Sequence, residues 1–242
     1  MLIDGGGSFR SSFDPGERIV ALFLWSQRIM HVDYIAVSHP DRDHFGGLTF
    51  IARNFSPSQF WTSGVDSPGE SYDELIDAIR KAGSQESVCN SELSMLTIGG
   101  VRLRCVGPLA GRDELKENNS SMIIRLDYGR ESIPFPGVLE VKGERALIDA
   151  GANLNATVPK VPHHGSRTSS SEPFLRAISP RAAVISLGYL NRFGFPADEV
   201  VQRYRDGGVT VLRTDQDGAI SADVGIDSIT LRTFRKGAVI LH

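Results

Sequence analysis

The feature that most restricts this chain is the run Ser38-His39-Pro40-Asp41-Arg42-Asp43-His44-Phe45-Gly46-Gly47, which follows the apolar segment Tyr34-Ile35-Ala36-Val37. Tyr34–Ser38 reads as a short buried strand that runs straight into this cluster. A loop leaving the end of such a strand can turn alternate side chains toward one point. Imidazole nitrogens and carboxylate oxygens are the ligands that suit zinc, manganese or iron. A polar loop whose aspartates cap the next helix is the plainer reading, but it uses one aspartate and neither histidine. His39, Asp41, Asp43 and His44 are therefore predicted metal ligands. Gly46 and Gly47 are expected to let the backbone turn sharply before a helix from about Leu48 to Arg53.

A second cluster, His163-His164-Gly165-Ser166, follows Val158–Val161. The chain has six histidines, and four of them fall in these two clusters; His31 and His242 look incidental. Adjacent histidines point in different directions. One of His163 and His164 is therefore expected to bind metal directly, and the other to donate a hydrogen bond behind it or carry a proton. Asn191-Arg192 is a candidate phosphate contact, because guanidinium matches phosphate geometry.

Around these clusters, short apolar runs alternate with amphipathic stretches punctuated by Gly, Pro and Asp, which predicts a layered α/β protein. Strands are expected at Leu2–Ile3, Gln59–Thr62, Val101–Val106, Ser121–Asp127, Glu131–Phe135, Val158–Val161, Ala182–Ser186, Thr210–Arg213, Ala219–Val224 and Ser228–Phe234. Helices are expected from Asp14-Pro15, with Asp14 as cap, and at Glu140–Ala150, Pro173–Ile178 and Ala197–Arg205. A further helix, Ser71–Ala82, has Ser71 and Glu74 spaced as a capping box. Ile19, Leu22, Phe23 and Met30 should share one helical face. Asp215–Gly218 reads as a hairpin turn.

No repeat, low-complexity tract or linker divides the 242 residues, so residues 1–242 are read as a single domain. A net charge of −3 gives no global basic field, so any nucleic-acid contact must come from a local patch or a metal. Cys89 and Cys105 form no metal-knuckle spacing and read as thiols. No apolar stretch is long enough to span a membrane, and the first residues do not form a secretion signal, so the sequence as written is expected to be cytoplasmic. Oligomeric state leaves no trace in the sequence.

Together these residues resemble the metallo-β-lactamase superfamily, and within it the C-terminal hydrolase domain of the ComEC family of DNA-uptake competence proteins. The matching pieces run in family order: Leu2–Gly6, Phe13–Arg18, Ser38–Leu48, Asn118–Ser121, Phe135–Glu140, Lys160–Ser166 with Thr168–Ser170, Ser186–Gly188 with Asn191, and Thr214-Asp215 with Asp217–Ile220. The resemblance implies an αββα sandwich and a metal-dependent hydrolase of the phosphodiesterase or nuclease kind, with DNA as substrate. It implies one or two divalent ions, zinc or manganese. His39 and Asp41 would hold one ion with a later ligand. Asp43 and His44 would hold the other, with His163 or His164 completing a shell. Asp43 and His164 would be the catalytic residues, Asp43 by orienting the attacking water. Asn118, Ser166, Asn191 and Arg192 would meet the substrate. Relatives of this kind are tethered to a membrane channel, which would be the partner.

Three departures from the family pattern stand out. The chain begins at Met1, just inside the Leu-Ile-Asp-Gly-Gly motif, so the first strands of the family sheet are expected to be missing. Val138 stands where the family has an aspartate bridging two metals, and Pro134 and Pro136 each remove a ladder donor from the strand before it. Phe195 stands where the family has a histidine before Pro196. These departures predict a damaged two-metal site that keeps one metal position. The alternative is a catalytically impaired relic that binds metal or serves as a structural module.

Overall fold

The computed structural model describes residues 1–7, 13–89, 96–107 and 117–241, and the chain groups into two compact units, Met1–Asn90 and Ser91–His242. His242 lies outside the described residues.

In the first unit a parallel sheet runs in the order β1 (Leu2–Ile3), β2 (Tyr34–Val37), β3 (Gln59–Thr62), β4 (Gln85–Val88). Parallel neighbours need crossover connections, and helices supply them. These are α1 (Leu22–Ser26), α2 (Arg42–Phe45), α3 (Leu48–Asn54) and α4 (Glu70–Ala82), with a π-helical turn over Gly16–Ala21 before α1. Ile35, Leu48, Ile51, Phe55, Phe60 and Leu75 are fully buried and form the centre of the core. Helix α4 contributes Tyr72, Leu75, Ala78 and Ile79, spaced to cover one face, and ends at Gly83 with a φ of 75°.

The two expected helix entries behave differently. Asp14 caps as expected: its Oδ1 accepts from the backbone N–H of Gly16 at 2.7 Å and of Glu17 at 3.2 Å. The capping box at Ser71 does not form. Helix α4 starts one residue earlier, after Gly69, so Ser71 already lies inside the first turn. Ile19, Leu22 and Phe23 are exposed, at 57, 57 and 60%, while Ala21 and Leu24 are buried; Met30 lies beyond the end of α1 and is not on this face. A π turn holds an extra residue, so apolar positions counted at the α-helical period are rotated off the core.

The second unit holds an antiparallel sheet in the order β5 (Leu96–Ile98), β6 (Val101–Gly107), β7 (Ile123–Tyr128), β8 (Glu131–Phe135). Helices α5 (Val141–Asp149) and α6 (Glu172–Ile178) follow. Strand β9 (Ala182–Ile185) then pairs in parallel with β10 (Thr210–Arg213), across helix α7 (Asp198–Asp206). The short helix α8 (Thr214–Asp217) leads into the antiparallel strands β11 (Ile220–Val224), β12 (Ile229–Thr233) and β13 (Gly237–Leu241). Val161, Ala183, Ile185, Val200 and Tyr204 form one core cluster, and Ile123, Leu139, Leu147, Phe174 and Ile178 another.

Strand β8 forms at the expected residues with Pro134 inside it. That strand is the edge of its sheet, where a missing donor is tolerated, and the Pro134 carbonyl accepts from Lys160 N at 3.0 Å. Val158–Val161 is not a strand. Pro159 and Pro162 interrupt it, and a single bridge, Lys160 to Val184, remains. Asp215–Gly218 is not a hairpin turn: Asp217 is buried and accepts from Arg213 N at 2.7 Å, winding the segment into α8. Both cysteines are disulfide-bonded, not thiols. Strands β4, β5 and β13 were not expected from the sequence: β4 (Gln-Glu-Ser-Val) is polar and β5 has three residues, while β13 (Gly-Ala-Val-Ile-Leu) is an apolar run that did carry a signal.

Candidate metal centre

The first histidine loop lies between β2 and α3. Gly46 and Gly47 have ordinary helical φ values, −55° and −85°, so freedom to turn is not their role. Close approach is. A Cβ on Gly47 would stand 2.3 Å from the Gly5 carbonyl oxygen and 2.6 Å from Gly16 N. The loop is stitched to the Gly5–Gly6 segment by Gly5 N donating to His44 O at 2.7 Å and Gly47 N donating to Gly6 O at 2.9 Å.

This stitching brings Asp4 beneath His44. Since a carboxylate only accepts, His44 Nδ1 carries the proton and donates to Asp4 Oδ2 at 2.7 Å. Ser38 adds its backbone N–H to Asp4 Oδ1 at 2.8 Å and its hydroxyl to Oδ2 at 2.7 Å. Burial works against the charged carboxylate, but His44 and these hydrogen bonds hold the Asp4 pKa down at about 2. A histidine fixed on one nitrogen by a carboxylate presents the other as a metal ligand. That nitrogen, His44 Nε2, faces Asp43 Oδ2 at 3.9 Å.

His39 is 4% exposed, and its Nε2 stands 3.4 Å from Asp41 Oδ2. Its hydrogen bond to Asp41 holds that carboxyl below the usual range. The buried His39 Nδ1 has no hydrogen-bond partner among the described residues. An orphaned buried imidazole nitrogen is unfavourable unless a ligand takes it. The donor set of the first loop therefore fits a divalent ion.

The second histidine loop, Pro162–Gly165, is built differently. His163, His164 and Gly165 all have left-handed backbones, with φ of 46°, 53° and 80°. A Cβ on Gly165 would meet Pro196 Cβ at 2.6 Å, so only glycine fits there. His164 Nδ1 donates to the Ser186 carbonyl at 2.6 Å, which leaves Nε2 as the lone-pair nitrogen. His163 Nδ1 stands 3.3 Å from Glu140 Oε1. The two rings thus point to separate partners, as adjacency predicted.

The conformation is held from behind. Ser169 Oγ lies 3.0 Å from Pro162 O and 2.9 Å from Ser166 O. Glu144 on α5, fully buried, accepts from the backbone N–H of Ser170 and Ser171. Burial pushes the Glu144 carboxyl above its usual range, against hydrogen bonds from Ser171 and Ser170 and the charge of Arg203. Arg203 on α7 donates to Ser170 O at 2.6 Å.

The substrate-contact candidates are placed as follows. Asn118 donates to Glu140 Oε1 at 3.1 Å, and Ser166 Oγ pairs with Thr168 Oγ1 at 3.0 Å. Asn191 bridges its own loop, donating to Phe195 O at 2.7 Å and accepting from Phe195 N at 3.0 Å. Arg192 is exposed, with its guanidinium 5.1 Å from the centre of the Phe193 ring. Val138 is buried, its side chain offers no ligand atom, and its N–H donates to Ser121 Oγ at 3.2 Å.

Sequence reasoning gave no site role to Asp4, Glu140 or Glu144. Asp4 had a signal, an acid between a strand end and a glycine run. Glu140 and Glu144 had none, because their partners are distant in sequence. Phe195 fills the expected histidine position with a ring that stacks on His164 (centroids 6.4 Å apart, planes 20° apart) and meets His163 edge-on at 5.7 Å.

A family model described as the metallo-beta-lactamase superfamily matches residues 1–189. ComE operon protein 3 of Bacillus subtilis is 30% identical over 233 residues, which cover 91% of this chain and 29% of that protein. Competence protein ComA of Neisseria gonorrhoeae is 30% identical over 208 residues, covering 86% and 27%. The chain thus spans less than a third of the length of these curated relatives. Among solved structures, CmlA, a diiron β-hydroxylase from Streptomyces venezuelae, shares the fold at 14% identity with a TM-score of 0.50, over 85% of this chain and 45% of its own.

Proposed function

This chain belongs to the metallo-β-lactamase superfamily, and on that premise we propose that it is a metal-dependent phosphodiesterase acting on DNA. The observation that carries the metal reading is the first loop, where the half-buried Asp4 carboxylate fixes His44 and a buried nitrogen of His39 has no hydrogen-bond partner among the described residues. The DNA reading is supported by similarity to competence proteins over most of the chain. The family model runs through both units, which supports treating residues 1–242 as one metallo-β-lactamase-like domain.

In this reading His39, Asp41, Asp43 and His44 hold zinc or manganese, with His163 or His164 completing the shell. When bound, the ion supplies Lewis acidity, activating water at neutral pH and neutralising charge on the scissile phosphate. Asp43 orients the attacking water. Asp4 keeps His44 in one tautomer. With His163 as the ligand, His164, its Nδ1 proton engaged by Ser186, offers Nε2 to take a proton. Arg192, exposed beside the Phe193 ring, offers its guanidinium to a phosphate oxygen. Asn118, Ser166 and Asn191 serve substrate binding through the loops they brace. A membrane channel is the proposed partner, by analogy with the longer relatives. Among the described residues no helix is long and apolar enough to cross a membrane.

Val138 favours a second reading, an impaired site that holds one ion firmly rather than two. Elemental analysis of protein purified without chelator and then dialysed separates the readings. A single zinc or manganese per chain, lost on Asp43→Ala, together with cleavage of labelled DNA, is expected. Two tightly held ions would remove the impaired reading. No retained ion would overturn the metal-dependent hydrolase.

A further inference from the structure

The loop from Ser186 to Ala197 shows more aromatic surface than packing requires. Tyr189 is 75% exposed, Leu190 83% and Phe193 53%. These side chains belong to a braced loop. Asn191 clamps Phe195 at both backbone polar groups, and Leu187 N donates to Thr214 Oγ1 at 2.8 Å. Phe193 stacks on Phe195, with centroids 5.8 Å apart and planes 22° apart. Phe195 in turn stacks on His164 at 20°. His164, Phe195 and Phe193 therefore form a stair of nearly parallel rings, from a half-buried histidine to open solvent, with Arg192 against the outermost ring.

Phosphate contact alone explains Arg192 but not the exposed rings. A ligand that offers both an anionic backbone and flat apolar faces explains both. Unpaired nucleobases offer such faces, whereas in a duplex they are stacked on one another and hidden. We propose that Tyr189 and Phe193 form a base-stacking platform that makes single-stranded nucleic acid the preferred ligand of this loop, an inference that rests on the phosphodiesterase reading above.

The test compares two labelled strands of equal length with cleavage-resistant phosphorothioate backbones, one of thymidines and one abasic. Fluorescence anisotropy reads their binding to the metal-loaded full chain. The thymidine strand is expected to bind roughly ten-fold tighter than the abasic strand. Phe193→Ala and Tyr189→Ala should each shrink that ratio several-fold, the double substitution should abolish it, and Phe193→Trp should keep it. Equal affinity for both strands, or a preference that survives the double substitution, overturns the platform while the phosphodiesterase reading stands. Binding of neither strand overturns both. A dimer in sedimentation that Phe193→Ala dissolves would assign the rings to a second copy of the chain and overturn the platform.

Discussion

The two histidine loops present similar side chains by opposite means. The first, His39–His44, keeps ordinary backbone angles and is set by backbone-to-backbone approach against the Gly5–Gly7 segment, with the Asp4 and Ser38 side chains bracing His44. The second, Pro162–Gly165, has three successive left-handed residues and is held by side chains from Ser169, Glu144 and Arg203. Left-handed backbone is unfavourable for histidine, so it persists where surrounding contacts over-determine it. Absence of side-chain volume makes the first loop, and remote polar side chains make the second.

The sharpest way to break this contrast is Gly47→Ala. Its Cβ would meet Gly5 O at 2.3 Å, backbone that cannot yield cheaply. We expect a loss of about 3 kcal/mol or more in denaturant unfolding. A near-neutral result would remove close approach as the principle of the first loop. Next comes Asp4→Asn, expected to weaken metal affinity by about 10- to 100-fold with little change in fold, because a fixed histidine ligand loses its carboxylate. Titration with zinc against a competing chelator measures it, and unchanged affinity would mean His44 is not positioned by Asp4.

Glu144→Gln addresses the second loop alone. An amide oxygen cannot replace both carboxylate oxygens, so a loss of about 2 kcal/mol is expected. Hydrogen exchange should quicken from His163 to Ser171 and stay unchanged from His39 to Gly47. Faster exchange in both loops would show that they are not braced independently. The smallest effect belongs to Ser169→Ala, which removes one hydroxyl spanning Pro162 O and Ser166 O. About 1 kcal/mol is expected in thermal unfolding, with no effect on the first loop.

What could be read in the sequence follows the same division. The cluster of candidate ligands, the strand before it and the helix after it were legible, because those residues lie within one local turn and the apolar periods are local. So were the alternating α and β segments, and the family match confirms the fold class they implied. The shared position of Ile19, Leu22 and Phe23 was legible, but not that it faces solvent, because a π turn changes the period that sequence patterns assume. Pro134 was legible as the loss of a ladder donor, but nothing local reveals that β8 is an edge, where that loss is tolerated.

The sequence by itself determined which candidate ligand side chains cluster, since residue type and short-range spacing are properties of the chain. Tertiary structure alone decided how those side chains are aimed. Asp4 reaches His44 across forty residues, and Glu144 reaches Ser170 across twenty-six. Phe195 comes to lie on His164 through the loop that Asn191 closes. Hydrogen bonds and ring contacts act over a few ångströms of space, whatever the distance along the chain, so they appear only once the fold has brought their partners together.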